Sequence, residues 1–206
     1  MSVRFHEAFC LDSARKRFEF NDHFLGDSIR DLWSFNIGGA STLSVIDAQN
    51  GGVARITTGA LTGNYGYLQW GNIRSLLVSK KVTIEYRIKI NDISNIDFEV
   101  GLVNVWNDII RFYLVGNDLH IYTRVIAGGI TDLDSGIDVD TDYHRFRIEC
   151  LPAGEAYFYI DGVQCANSPI TTNTTTNHLQ PWVYLDTNEN VAKSMDINYV
   201  VIRQDR

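Results

Sequence analysis

The segment Tyr143-His-Arg-Phe-Arg-Ile-Glu149 constrains the fold more than any other part of the chain. Read with a period of two, His144, Phe146, Ile148 and Cys150 point one way, and Tyr143, Arg145, Arg147 and Glu149 point the other. Pro152-Ala-Gly154 supplies a turn, Phe158 and Ile160 resume the apolar face, and Asp161-Gly162 is a dipeptide that reverses a chain between paired strands. This pattern is an antiparallel hairpin with one buried face and one wet face. The alternation recurs over Phe18–Phe24, Thr42–Asp47, Val53–Thr58, Tyr65–Trp70, Val82–Ile90, Asp97–Val105, Ile110–Val115, Leu119–Val125, Trp182–Thr187 and Ser194–Arg203. Helical turns are expected only near Asp12–Lys16 and Gly26–Asp31. About a dozen strands without crossover helices predict an all-β, two-sheet antiparallel sandwich.

No Pro/Gly/Ser linker or composition break divides the 206 residues, so one domain is expected over residues 18–206, preceded by an arm of residues 1–17. With 45% hydrophobic residues the chain can fill a sizeable core, yet no apolar run approaches the roughly 18 residues of a membrane span. A net charge of −7 with interspersed signs lacks the concentrated cationic surface that nucleic acid requires. Arg15-Lys16-Arg17 is read as a solvated run. The segment Met1–Glu7 has no apolar signal region, which points to folding in cytoplasm. Position 150 should face 156 or 157 in the hairpin, which leaves Cys165 several residues beyond. Cys10, Cys150 and Cys165 are therefore expected as reduced thiols.

Several residues in order resemble one family. Phe20-Asn-Asp-His-Phe24 with Trp33, Glu99-Val-Gly-Leu102, Thr131–Gly136 leading into Tyr143–Glu149, Tyr157–Gly162 and Met195–Val200 together resemble the concanavalin A-like (laminin-G-like) jelly-roll domains common in bacteriophage virion proteins. The resemblance covers about residues 18 to 203 and implies a jelly-roll sandwich whose closing strand pairs near the first. This fold hosts lectins, hydrolases, lyases and structural modules alike.

The enzymatic possibility sits at Asn95-Ile-Asp-Phe-Glu99, which is similar to the Glu-x-Asp-x-Glu strand of retaining β-glucanases on this sandwich. In those enzymes alternation sets three carboxylates on one face, the outer two being nucleophile and general acid. Here the first is Asn95, and a carboxamide forms no glycosyl ester at a useful rate. His144 alternates with Phe146 and Ile148 and reads as a satisfied, partly buried histidine. No zinc spacing occurs among the histidines, and no cofactor is implied. Asp132, Asp134, Asp138, Asp140 and Asp142 offer oxygens for Ca²⁺, but turn formation is their ordinary use.

For glycan binding the outward set Arg87, Glu99, Arg111, Tyr113, Arg145, Arg147, Tyr157 and Tyr159, with Trp106 at a loop tip, supplies Arg forks and stacking rings. Cross-strand charge pairing is the competing account of the same residues. The resemblance implies a non-enzymatic virion surface or structural protein, assembled with other virion subunits through the arm and in contact with cell-surface glycans. A free carbohydrate-binding lectin and a glycan-cleaving hydrolase or lyase are the alternatives.

Overall fold

The computed structural model describes residues 17–25, 29, 31–48, 51–71, 73, 75–104, 108–125, 129–171 and 177–205. Its strands are, in chain order, β1 (Arg17–Asp22), β2 (Ser34–Ile37), β3 (Thr42–Ala48), β4 (Gly51–Thr57), β5 (Asn64–Gln69), β6 (Leu76–Leu77), β7 (Val82–Ile90), β8 (Ile96–Asn104) and β9 (Asp108–Val115). The second half holds β10 (Asp118–Val125), β11 (Gly129–Asp134), β12 (Tyr143–Leu151), β13 (Glu155–Ile160), β14 (Val163–Gln164), β15 (Ile170–Thr171), β16 (His178–Thr187) and β17 (Ser194–Asp205). A 3-10 turn at Val78–Lys80 precedes β7.

Two antiparallel sheets form. One runs β14-β13-β12-β7-β17-β4-β3, with β1 on β17 and β15 on β13; the other runs β11-β10-β9-β8-β16-β5-β2, with β6 on β16. The two-sheet sandwich expected from alternation is therefore present, and so is the jelly-roll closure that the resemblance implied, with β17 paired to β1 from Arg17↔Asp205 to Asp22↔Val200. The expected helical turn near residues 12–16 lies outside the described residues, as does most of the one near 26–31 and all of residues 1–16 of the arm.

β7 shows why these residues make strands. Val82, Ile84, Tyr86, Ile88 and Ile90 are buried, while Thr83, Glu85, Arg87 and Lys89 alternate outward. Branched and aromatic side chains suit a pleat buried on one face. Asp161 and Gly162 take φ of 51° and 87°, the left-handed pair that a two-residue hairpin turn needs, and close β13 onto β14. Cys150 pairs in register with Ala156, and both Cys150 and Cys165 are free and buried. Burial pushes each thiol up to about 12.

The Phe20-x-Asp22-x-Phe24…Trp33 pattern has a physical basis. The buried Asp22 carboxylate accepts the Trp33 indole N–H at 2.8 Å and the Phe24 amide at 2.9 Å. Around it Phe20, Trp33 and Trp70 pack edge to face at 5.0–6.2 Å.

One polar group crosses the apolar core. Tyr86, 1% exposed, extends from β7 to the opposite sheet, donates to the Gly101 carbonyl at 2.7 Å and accepts the Trp182 backbone N–H at 3.2 Å. Burial and these partners join the sheets beneath β8 and β16. Replacing Tyr86 by Phe keeps the ring and removes both bonds. Denaturant unfolding should show a loss of about 1–3 kcal/mol, and an unchanged midpoint would contradict this role.

Candidate functional site

The residues proposed from sequence do not share one surface. Arg87, Arg145, Arg147, Tyr157 and Tyr159 lie on the outer face of the β7 sheet, whereas Glu99, Arg111 and Tyr113 lie on the outer face of the β8 sheet. Alternation gives each strand's wet face but not the sheet it joins, so the set falls on opposite sides of the sandwich. Trp106 lies outside the described residues.

On the β7 face the groups engage their neighbours. Arg87 rests 4.2 Å over the Tyr143 ring and donates to Asn198 at 2.9 Å. Arg147 lies 4.2 Å over the Tyr159 ring and 3.3 Å from Glu149. Arg145 donates to the Asp161 carbonyl at 3.3 Å, and Tyr157 donates to Glu155 at the same distance. A cleft of about 360 Å³ opens nearby, with Arg17, Lys81, Glu85, Arg147, Tyr199 and Arg203 among its walls. Its charges are mostly matched, as in Tyr199 donating to Glu85 at 2.6 Å and Arg203 pairing with Glu19 at 3.3 Å. Such pairs solvate a sheet.

The β8 face is different in kind. β8 lies between β9 and β16, with Asp97 opposite Asp186, Glu99 opposite Tyr184 and Gly101 opposite Trp182. On the other side Glu99 faces Tyr113, and Gly101 faces Arg111. Glu99 Oε2 accepts the Trp182 indole N–H at 2.9 Å and lies 2.5 Å from an Arg111 terminal nitrogen. Arg111 is itself flanked by Tyr113 and Tyr122, with its guanidinium carbon 5.1 and 4.8 Å from their centroids. A Cβ at Gly101 would lie 2.2 Å from the Ile110 carbonyl oxygen and 2.6 Å from Arg111 Cα, so only glycine lets β9 bring Arg111 this close.

Burial raises the Glu99 carboxyl above its ordinary value, while Arg111 and the Trp182 indole hold back part of that rise. Asp186 is raised too, first by burial and further by the facing Asp97 charge; the hydrogen bond from Tyr184, at 3.1 Å, opposes this. Asp186 Oδ1 is buried without a hydrogen-bond partner among the described residues. Asp97 is exposed and accepts the Asn188 side-chain amide at 3.1 Å.

Rings extend this surface. Trp182, 2% exposed although it points outward, sits among Tyr67, Tyr122 and Tyr184. Tyr65, Tyr67, Tyr184 and Trp182 lie at centroid spacings of 4.6–6.2 Å and interplanar angles of 8–32°. Sequence reasoning passed over Asp186, Tyr65, Tyr67, Tyr122, Trp182 and Tyr184. The period-two runs Tyr65-x-Tyr67 and Trp182-x-Tyr184-x-Asp186 carried the signal, but no local pattern places β16 beside β8.

Asn95 lies just before β8 rather than on it, unlike the first residue of the Glu-x-Asp-x-Glu strand that it resembles. It precedes β8 with φ of 50°, its carbonyl accepts the Asn188 N–H at 2.8 Å, and its amide donates to Glu189 at 3.3 Å. Of the aspartates considered for Ca²⁺, Asp132 accepts from Tyr113 and contacts His120 Nδ1 at 2.8 Å. Asp134 accepts the Gly136 amide and Asp140 the Asp142 amide, each at 2.7 Å. These are turn and cross-strand contacts, and among the described residues no three His, Cys, Asp or Glu groups converge as a metal site.

No known family profile and no curated protein matches the chain. Solved structures do. A Bacteroides ovatus family 16 glycoside hydrolase acting on mixed-linkage glucan superposes with a TM-score of 0.66 at 14% identity, covering 89% of this chain and 99% of that one. A β-1,3-glucanase from Mycobacterium marinum gives 0.64 at 16% identity over 89% and 97%. The Emp47p carbohydrate recognition domain gives 0.64 at 10% over 91% and 95%. The concanavalin A-like fold shared with family 16 hydrolases is thereby established. The expectation of a non-enzymatic virion protein is corrected by the same matches: glucanases recur among them and nothing ties the chain to virions.

His144 is half-buried, as expected, and paired with Asp161 at 2.7 Å and Asp140 at 3.1 Å. Burial works against its charge, but the two carboxylates outweigh burial and raise its pKa. The protonated form therefore favours the folded state. Its contribution is complete below about pH 6.5 and disappears as pH rises through the raised folded value. A His144→Gln variant should be destabilised most at pH 5–6 and least above pH 8 in thermal melts. A pH-independent difference would contradict the pairing.

Proposed function

We propose that this chain is a glycan-cleaving hydrolase whose substrate lies along the outer face of the β8 sheet. The observation that carries the reading is Glu99, a partly buried carboxyl with a raised pKa, held by Trp182 and Arg111 in the middle of a ring-lined surface and two residues from Asp97. A carboxyl that keeps its proton nearer neutral pH suits donation to a departing glycosidic oxygen. The exposed Asp97 carboxylate then faces the positive charge that develops at the anomeric carbon. Tyr65, Tyr67 and Tyr184 offer ring faces for the apolar sides of neighbouring sugars. A β-glucan is the proposed substrate class, supported by the glucanases among the structural neighbours.

Asn95 favours a second reading, glycan capture without cleavage, because the first carboxylate of the Glu-x-Asp-x-Glu arrangement is missing. Purified protein incubated with β-1,3 and mixed-linkage glucans separates the two. Reducing ends should be released, and Glu99→Gln should lower kcat by about 10²–10⁴-fold while oligosaccharide affinity measured by calorimetry is kept. Tight binding with no release from either polymer would favour capture.

A further inference from the structure

The carboxyl missing at position 95 has a counterpart on the neighbouring strand. We infer that Asp186 is the positioning residue of this site, facing Asp97 across the β8–β16 ladder so that the two side chains act as one proton-sharing dyad. This rests on the hydrolase reading above.

Three observations converge on the pair. Asp97 and Asp186 are in direct register, and side chains so placed on one face have Cβ atoms about 4.5–5.5 Å apart. The Asp186 carboxyl already accepts from Tyr184, at Oδ2, and is also drawn on by the Thr187 backbone N–H, while Oδ1 stays buried without a partner of good hydrogen-bond geometry among the described residues. A buried carboxylate oxygen without a donor is unfavourable next to another carboxylate, and a proton held between the two removes both penalties. The groups facing Asp186 fit this account. Tyr65 lies opposite it on β5, Tyr184 precedes it on β16, and Asp97 faces it from β8, with Glu99 two residues further along that strand, opposite Tyr184 and already bound to Arg111. No cation faces Asp186 in this register, so a proton is the remaining neutralising charge.

In the reaction the proton rests on Asp186 and its O–H donates to Asp97, which stays anionic and aimed at the anomeric carbon. No proton is gained or lost by the pair in this arrangement. Glu99 remains the donor to the leaving oxygen, and the water that then bonds to the anomeric carbon returns a proton to Glu99, which restores the starting state. Three carboxyl groups therefore meet on one face, as in the Glu-x-Asp-x-Glu arrangement, but they are drawn from two strands rather than one.

Carbon-13 carboxyl NMR across a pH titration tests the dyad without any turnover. In the unmodified protein Asp186 should titrate in two steps that report the pair. In Asp97→Asn, an exposed substitution, it should titrate in a single step with a lower midpoint. An Asp186 curve unaffected by Asp97→Asn overturns the inference. The catalytic part is read on β-glucan. Asp186→Asn should lower kcat by about 10²-fold or more with oligosaccharide affinity retained, and should move the acid limb of the kcat/KM profile to higher pH, because the hydrogen bond that favours the Asp97 anion is lost. Asp186→Glu should recover part of the rate. Cleavage with uncoupled titration overturns the dyad alone, whereas coupled titration without cleavage of any glucan overturns the hydrolase and with it the positioning role.

Discussion

The buried hydroxyl of one tyrosine joins the core of this protein to the sheet that carries Glu99. Tyr86 leaves the β7 sheet, crosses the apolar layer and meets the Gly101 carbonyl and the Trp182 amide on adjacent strands of the β8 sheet. Both residues continue outward. The Trp182 indole holds Glu99, and Gly101 admits the strand that brings Arg111 to the same carboxylate. Two-sheet sandwiches are held mainly by non-directional burial, which tolerates sliding. A hydrogen-bonded crossing at this point fixes the β7 sheet against β8 and β16, directly beneath Glu99.

The other end of the site is fastened by charge. Lys193, 1% exposed, lies 2.5 Å from both Asp92 and Glu189, and with Ser94 it draws the Asp92 carboxyl down to about 2. A buried cation is tolerated here because the two carboxylates compensate its charge and accept its hydrogen bonds. Asn188 follows β16 next to Glu189, and its side chain reaches Asp97. The acidic face thus works between two anchors: the Tyr86 crossing beneath Glu99 and the Lys193 clasp beside Asn95.

The strands were legible because each carries its own record of burial. Val82–Ile90 was read to the residue, and the Tyr143 hairpin was read with its register, Cys150 opposite Ala156. β2 and β11 were not read, since neither shows an alternating buried row; β11 is exposed at nearly every position. The site was legible only in halves. Asp97 and Glu99 stood out on β8, but their partners lie on β16, more than eighty residues later, and nothing local specifies a long-range pairing. The same lack of information about strand neighbours put Arg87 and Glu99 into one set although they lie on opposite sides of the sandwich. The left-handed Asn95 likewise breaks a motif that looks continuous in one dimension.

The claim that the β8 sheet carries the recognition face is tested most directly by chemical-shift mapping with a soluble β-glucan oligosaccharide. The Trp182 indole N–H signal and the amides of β5, β8 and β16 should shift together and saturate with one dissociation constant. Shifts confined to the Arg87, Arg147 and Tyr199 surface of the β7 sheet would contradict the account.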